Sequence, residues 1–216
     1  MSKLIVFDCD STLSSIEGVD ELARLKGETV FREVAALTNQ AMDGCIALEE
    51  VFRRRMELIR PDQADMDQVA QRYCQTLAAG VQELMRELQA SGWTIVVVSG
   101  GLYPPVKALA EVLGIQEVMA VPVQFDTAGH YQDFDDQYHT ARSGGKPVCI
   151  AELKARFQPQ ITIMVGDGVS DLETQPGVEH FIGYGEFVIR DRVKQEAEYF
   201  AMSMREVSGI IQRVAA

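Results

Sequence analysis

Three apolar runs, at residues 4–7, 94–98 and 161–165, constrain this chain more than any other feature, because each is short, continuous and far from the next. Runs of that kind fill strands buried on both faces of a parallel sheet. Around them the apolar spacing becomes helical, over residues 81–89, 104–113 and 147–157, from Ser170, from Arg190, and over 203–214. Shorter strands are expected at 118–121 and 179–182. Strand and helix therefore alternate, and the expected fold class is α/β, a doubly wound, Rossmann-like and mainly parallel sheet.

One stretch breaks the alternation. Val19, Leu22, Ala23 and Leu25 share a helical face that Lys26-Gly27 can stop; residues 29–42 continue the pattern. Leu48, Val51, Phe52, Met56 and Ile59 line another face before Pro61, and residues 66–77 add a fourth helix. Residues 15–78 are thus expected to form a small helical cap inserted after the first strand, with 1–14 and 79–216 as the core domain. Val123-Gln124-Phe125 and His130-Tyr131-Gln132, flanking Thr127-Ala128-Gly129, suggest a hairpin.

A formal net charge of −12 argues against a generic nucleic-acid binder and against attraction to an anionic membrane. No apolar run approaches the length that spans a bilayer, and acid appears at Asp8, too early for a signal-peptide core. Cys9, Cys45, Cys74 and Cys149 have no metal-ligand spacing, and they read as reduced thiols. The expectation is a cytoplasmic protein, monomer or homodimer, that binds a small molecule.

The strand ends carry the chemistry. Leu4-Ile5-Val6-Phe7 runs into Asp8 and Asp10, and an extended chain would point both carboxylates to one side. Residues 94–98 run into Ser99-Gly100-Gly101, where a hydroxyl and unhindered N–H groups can approach an anion. Residues 161–165 run into Gly166-Asp167-Gly168-Val169-Ser170-Asp171. Lys146 precedes the helix expected at Pro147, where a cation is misplaced unless an anion sits beside it. Taken singly, each has a plainer account: a strand end, a turn, a helix cap, a solvated lysine. Ends of neighbouring parallel strands share one crevice, however, and four carboxylates there would repel prohibitively without a cation such as Mg²⁺.

These residue types define a reaction. Asp8 can attack a phosphoryl group to form an aspartyl-phosphate, and Asp10 can protonate the leaving alkoxide and then deprotonate water. Asp8, the backbone carbonyl of Asp10, Asp167 and Asp171 would hold Mg²⁺. Ser99, Gly100 and Lys146 would hold the phosphoryl oxygens.

In this order, Asp8-Cys9-Asp10-Ser11-Thr12, Ser99-Gly100-Gly101, Lys146 and Gly166-Asp167-Gly168-Val169-Ser170-Asp171 resemble the four motifs of the haloacid dehalogenase superfamily of phosphatases. Within it, the chain is most similar to the branch that hydrolyses phosphoserine. Glu17-Gly18-Val19-Asp20-Glu21-Leu22-Ala23, Ala41-Met42-Asp43-Gly44 and Arg53-Arg54-Arg55-Met56-Glu57-Leu58-Ile59 match that branch's cap pattern. The resemblance implies that Glu17 receives the substrate ammonium and Arg55 its carboxylate, with Met42 and Gly44 lining the pocket. Ser170 and Arg190 are further substrate-binding candidates. Outside the resemblance, Glu17 reads as a first-turn acid and Arg55 as part of a solvated face.

Leu48, Leu102 and Val121-Pro122 depart from that branch without touching the phosphoryl-transfer positions. They leave open another small phosphomonoester, or transfer to an alcohol such as homoserine. A non-catalytic phospho-aspartate switch is a further alternative, although such a domain needs neither the insertion nor an acid placed as Asp10 is.

Overall fold

The computed structural model describes residues 2–42 and 48–215, except for the side chains of residues 38–42 and 48. Its centre is a strand, β1 (Lys3–Phe7), whose apolar residues leave no backbone polar group exposed because strands pair on both edges. β2 (Trp93–Leu102) and β3 (Glu117–Val121) extend the sheet one way; β6 (Ile161–Gly166), β7 (His180–Tyr184) and β8 (Tyr199–Ala201) extend it the other way. The order is β3-β2-β1-β6-β7-β8, and every neighbouring pair is parallel. Strand order reverses at β1, so the crevice beyond Phe7 and Gly166 is where a doubly wound sheet presents ligand groups.

Alternate residues divide between two layers. Ile5, Phe7, Ile95, Val97, Ile163 and Val165 join one apolar cluster, while Leu4, Val6, Val96, Val98 and Met164 join the other. Each such side chain stabilises the fold by about 1.5–3 kcal/mol through removal from water, which explains why these strands were visible as continuous apolar runs.

Between β1 and β2 lie α1 (Gly18–Leu25), α2 (Glu28–Met42), α3 (Leu48–Ile59), α4 (Gln63–Gln75) and α5 (Val81–Ala90). α4 begins three residues before the expected 66 because Asp62 and Asp65 form a capping box, each carboxylate accepting from the other's backbone N–H at 2.9 and 2.8 Å. Val19, Leu22, Met56, Ile59, Met66 and Val69 are buried in the same continuous cluster as the inward face of the sheet. At the stem, Ser15 N–H donates to Thr76 O and Ala78 N–H to Leu13 O, both at 2.9 Å, and the Ser14 and Thr76 hydroxyls are 2.8 Å apart.

The expected hairpin is present as β4 (Val123–Phe125) and β5 (Tyr131–Phe134), a separate antiparallel pair that abuts the helical insertion. Phe134 packs edge-on against Phe52 with centroids 4.9 Å apart, Arg53 reaches Asp136 at 2.5 Å, and Gln63 N–H donates to Gly129 O at 3.0 Å.

The second half contains α6 (Tyr103–Val112), α7 (Gly145–Phe157), α8 (Val169–Leu172), α9 (Asp191–Glu196) and α10 (Met204–Val214). β2 runs on through Ser99-Gly100-Gly101 to Leu102, which pairs with Val121, so this segment is irregular strand and not the turn that its plainer account would make it. The three-residue edge strand β8 had no sequence signal: Tyr199 and Phe200 are only half-buried.

Candidate active site

Backbone geometry sets the first two acids. Asp8 N–H donates to Val165 O at 2.9 Å, continuing the ladder one residue past β1. The chain then leaves extended geometry: Ser11 adopts φ 50°, and the N–H groups of Thr12, Leu13 and Ser14 turn back onto Cys9 O at 3.3, 2.9 and 3.2 Å. A tight turn therefore presents Asp8 and Asp10, in place of the pleat that an extended chain would have supplied.

Asp8, Asp167 and Asp171 converge. One carboxylate oxygen from each lies within 4.8 Å of the others, and the residues are 6%, 3% and 0% exposed. Gly166 has no Cβ, and one there would overlap the Asp171 carboxyl. Asp171 Oδ2 accepts from Gly168 N–H at 2.9 Å, which fixes it at the start of α8.

Lys146, in the first turn of α7 after the left-handed Gly144, lies 2.8 Å from Asp8 Oδ1 and 2.6 Å from Asp171 Oδ1. The carboxylates thus supply the negative charge that a lysine at a helix start requires. Burial opposes the ammonium charge, but Asp171 and Asp8 outweigh it and hold the Lys146 pKa above the ordinary lysine value. One lysine does not neutralise three acids. Burial first, and the charge of Asp8 second, push Asp167 up to about 7 and Asp171 to about 8. An all-oxygen, acid-rich donor set left short of positive charge fits a hard divalent cation.

The Asp10 carboxyl stands outside this cluster. Its Oδ1 accepts from Gly18 N–H at 2.9 Å and from the Tyr73 hydroxyl. Burial, then the charges of Glu17 and Asp8, raise its pKa well above the usual carboxylate range. A carboxyl whose protonated form is favoured in this way is suited to donating a proton. Tyr73 was not foreseen, since Met66, Val69 and Tyr73 read as one apolar helix face; its hydroxyl partner is invisible in that pattern. On β2, Ser99 Oγ accepts from Gly101 N–H at 2.9 Å, with half-buried Gly100 between them.

The remaining candidates are distributed around the acids. Glu17, just before α1, accepts from Ser11 Oγ at 2.7 Å. Arg190 occupies the N-cap position of α9, and its Nε lies 3.0 Å from Asp167 Oδ2, with Nη2 3.7 Å from Glu17 Oε1. Arg55, on α3, pairs with Asp20 at 2.8 Å, while its buried Nε has no hydrogen-bond partner among the described residues. Ser170 is half-buried on α8 beside Asp171. Met42 closes α2 with its side chain outside the described residues, and Gly44 lies outside them altogether.

Acids from adjacent strand ends, gathered about a buried lysine in the crevice of a doubly wound sheet, mark an enzyme of the α/β class whose reactive groups are carboxyls. The family model for haloacid dehalogenase-like hydrolases matches residues 5–174, and the chain belongs to that family. It is 35% identical over 211 residues to a phosphoserine phosphatase of Drosophila melanogaster, covering 96% of this chain and 77% of that one. It is also 35% identical over 210 residues to the phosphoserine phosphatase of Bos taurus, covering 96% and 92% respectively. A solved structure described as a phospho-aspartyl intermediate analogue of phosphoserine phosphatase superposes with a TM-score of 0.82 at 26% identity, covering 97% of this chain and 98% of that one. Phosphatases of this family are generally metal-dependent, in keeping with the buried acids. No helix among the described residues is long and apolar enough to cross a membrane.

Proposed function

We propose that this protein is a phosphoserine phosphatase, hydrolysing O-phospho-L-serine to L-serine and phosphate as the last step of serine synthesis. The Asp8 carboxylate forms a bond to phosphorus as the phosphorus–oxygen ester bond breaks, and Asp10 gives its proton to the departing serine alkoxide. Asp10, now ionised, takes a proton from water; the hydroxyl oxygen attacks phosphorus, releasing phosphate and regenerating Asp8. Ser99 Oγ already accepts the Gly101 N–H, which leaves its hydroxyl proton for a phosphoryl oxygen, and Lys146 and the backbone around Gly100 complete the anion's surroundings. Mg²⁺, held by Asp8, Asp167, Asp171 and the backbone carbonyl of Asp10, would offset the repulsion between an anionic nucleophile and an anionic phosphate.

Residues 15–78 act as a cap on the core formed by 1–14 and 79–216, moving about hinges near Ser14-Ser15 and Ala78-Ala79-Gly80. Glu17 receives the ammonium and Arg55 the carboxylate, with Met42 and Gly44 lining the pocket and Ser170 and Arg190 assisting. A cytoplasmic address, a small-molecule partner without nucleic acid or membrane, and a monomeric or homodimeric state complete the reading.

The observation that carries the substrate is Arg55: one edge is held by Asp20, and a buried N–H donor is left without an acceptor among the described residues. Leaving such a donor unsatisfied costs about 1–3 kcal/mol, and a substrate carboxylate supplies the missing acceptor. Turnover of phosphoserine, phosphoethanolamine and glycerol phosphate, with and without Mg²⁺, tests this. The expected result is a loss of most of kcat/KM when either the carboxylate or the amine is absent. Equal rates on all three esters would refute the substrate assignment.

A further inference from the structure

The phenol of Tyr73 belongs to the helical insertion, yet its hydroxyl bonds to an acid on the β1 loop. The ring is fully buried at the end of α4. Its hydroxyl has room because residue 18 is glycine; a Cβ at Gly18 would overlap it. Gly18 N–H and the Tyr73 hydroxyl both donate to Asp10 Oδ1. The opposite oxygen, Oδ2, faces β2: a Cβ built on Gly101 would lie 3.2 Å from Asp10 Oδ2 and 3.2 Å from Ser99 Oγ.

Two donors on one carboxyl oxygen leave the acidic proton to the other. They also fix the rotation of the carboxyl about its Cβ–Cγ bond, so Oδ2 is held toward the side of the crevice where Ser99 stands. We infer that Tyr73 is a positioning residue, which orients Asp10 so that the oxygen exchanging protons with the leaving group points at the phosphoryl site. The inference rests on the assignment of Asp10 as acid and base given above. It adds that the insertion, through the last turn of α4, sets that group's alignment. A phenol that only filled space would need some hydrogen-bond partner when buried, but it would not affect one leaving group more than another.

The test is therefore leaving-group dependence. Tyr73→Phe keeps the ring and removes the hydroxyl. Serine departs as an alkoxide that needs a proton, whereas p-nitrophenolate leaves without one. Each kcat/KM is compared with that of the parent protein on the same ester, since this parameter reports steps through formation of the phosphoenzyme. Properly placed general acids contribute about 10²–10⁴-fold, so a misaligned one is expected to cost about tenfold or more on phosphoserine and under about threefold on p-nitrophenyl phosphate. Equal losses on the two esters, or none on either, would overturn the inference.

Asp10→Asn is the reference. If it shows the selective loss and Tyr73→Phe does not, the positioning role alone fails. If Asp10→Asn itself shows no selectivity, the acid/base assignment fails, and the role of Tyr73 with it. Should Tyr73→Phe not fold, Gly18→Ala, whose added methyl displaces the hydroxyl, is expected to give the same selective loss. Loss equal on both esters in that variant would again overturn the inference.

Discussion

Removing divalent metal at rising pH is expected to destabilise the protein through the acids at the strand ends. In the folded chain Asp167 is pushed up to about 7 and Asp171 to about 8, against an unfolded value of about 3.9. Both shifts are upward, so their contribution to stability is fully present below the unfolded value and is lost as pH rises through 7 and 8. Stability changes by about 1.4 kcal/mol per pH unit for each proton that the folded state holds and the unfolded state lacks. Between pH 6 and pH 8, Asp171 keeps its proton for most of the interval and Asp167 for about half, so the summed loss is about 4 kcal/mol for the pair. Asp10, also raised, acts in the same direction. Lys146 and Arg190 already face these groups and limit the effect without removing it. Trp93, the sole tryptophan, is buried at the start of β2 and reports unfolding by fluorescence. Urea denaturation in EDTA at pH 6, 7 and 8 should show the fall, and saturating Mg²⁺ should abolish it, with a larger stabilisation at pH 8 than at pH 6. A flat metal-free profile, together with an equal Mg²⁺ effect at every pH, would contradict the reasoning.

Lys146→Met leaves Asp8 and Asp171 without their buried cation, and a broken buried pair costs about 3–5 kcal/mol; urea midpoints in EDTA should fall accordingly, and phosphoserine turnover should vanish even with Mg²⁺ restored. Gly166→Ala places a methyl against the Asp171 carboxyl. Overpacking of that kind costs about 1–3 kcal/mol, and a Mg²⁺ titration followed by thermal shift should show weakened affinity; unchanged affinity would mean that Asp171 can move without consequence.

The strands most exposed to view in the sequence were those whose burial is uniform. β1, β2 and β6 read directly as apolar runs because both faces are covered, and the strand ends then indicated which acids and hydroxyls would meet. The bonds that orient those groups were hidden. Tyr73 sits on an apolar face at helical spacing, so its hydroxyl bond to Asp10 has no local signature. Asp20 reads as a first-turn acid on α1, although it holds Arg55 from another helix 35 residues on. Arg190 could be proposed from its place after β7, but its contact with Asp167 spans 23 residues and an intervening strand. Such pairs depend on how elements pack, and packing of this kind leaves no period in the chain.

β1 carries Asp8, the proposed nucleophile, into the middle of the sheet, and its partners are distant in the chain. Lys3 is in register with Trp93 on one side and with Ile161 on the other, separations of 93 − 3 = 90 and 161 − 3 = 158 residues. Closing loops of that size delays pairing, so a growing chain carries its future reactive strand with one edge unpaired until most of the protein has been made. Phosphatase activity then reports completion of the whole sheet, and a partly folded chain has no acid pocket with which to attack cellular phosphate esters.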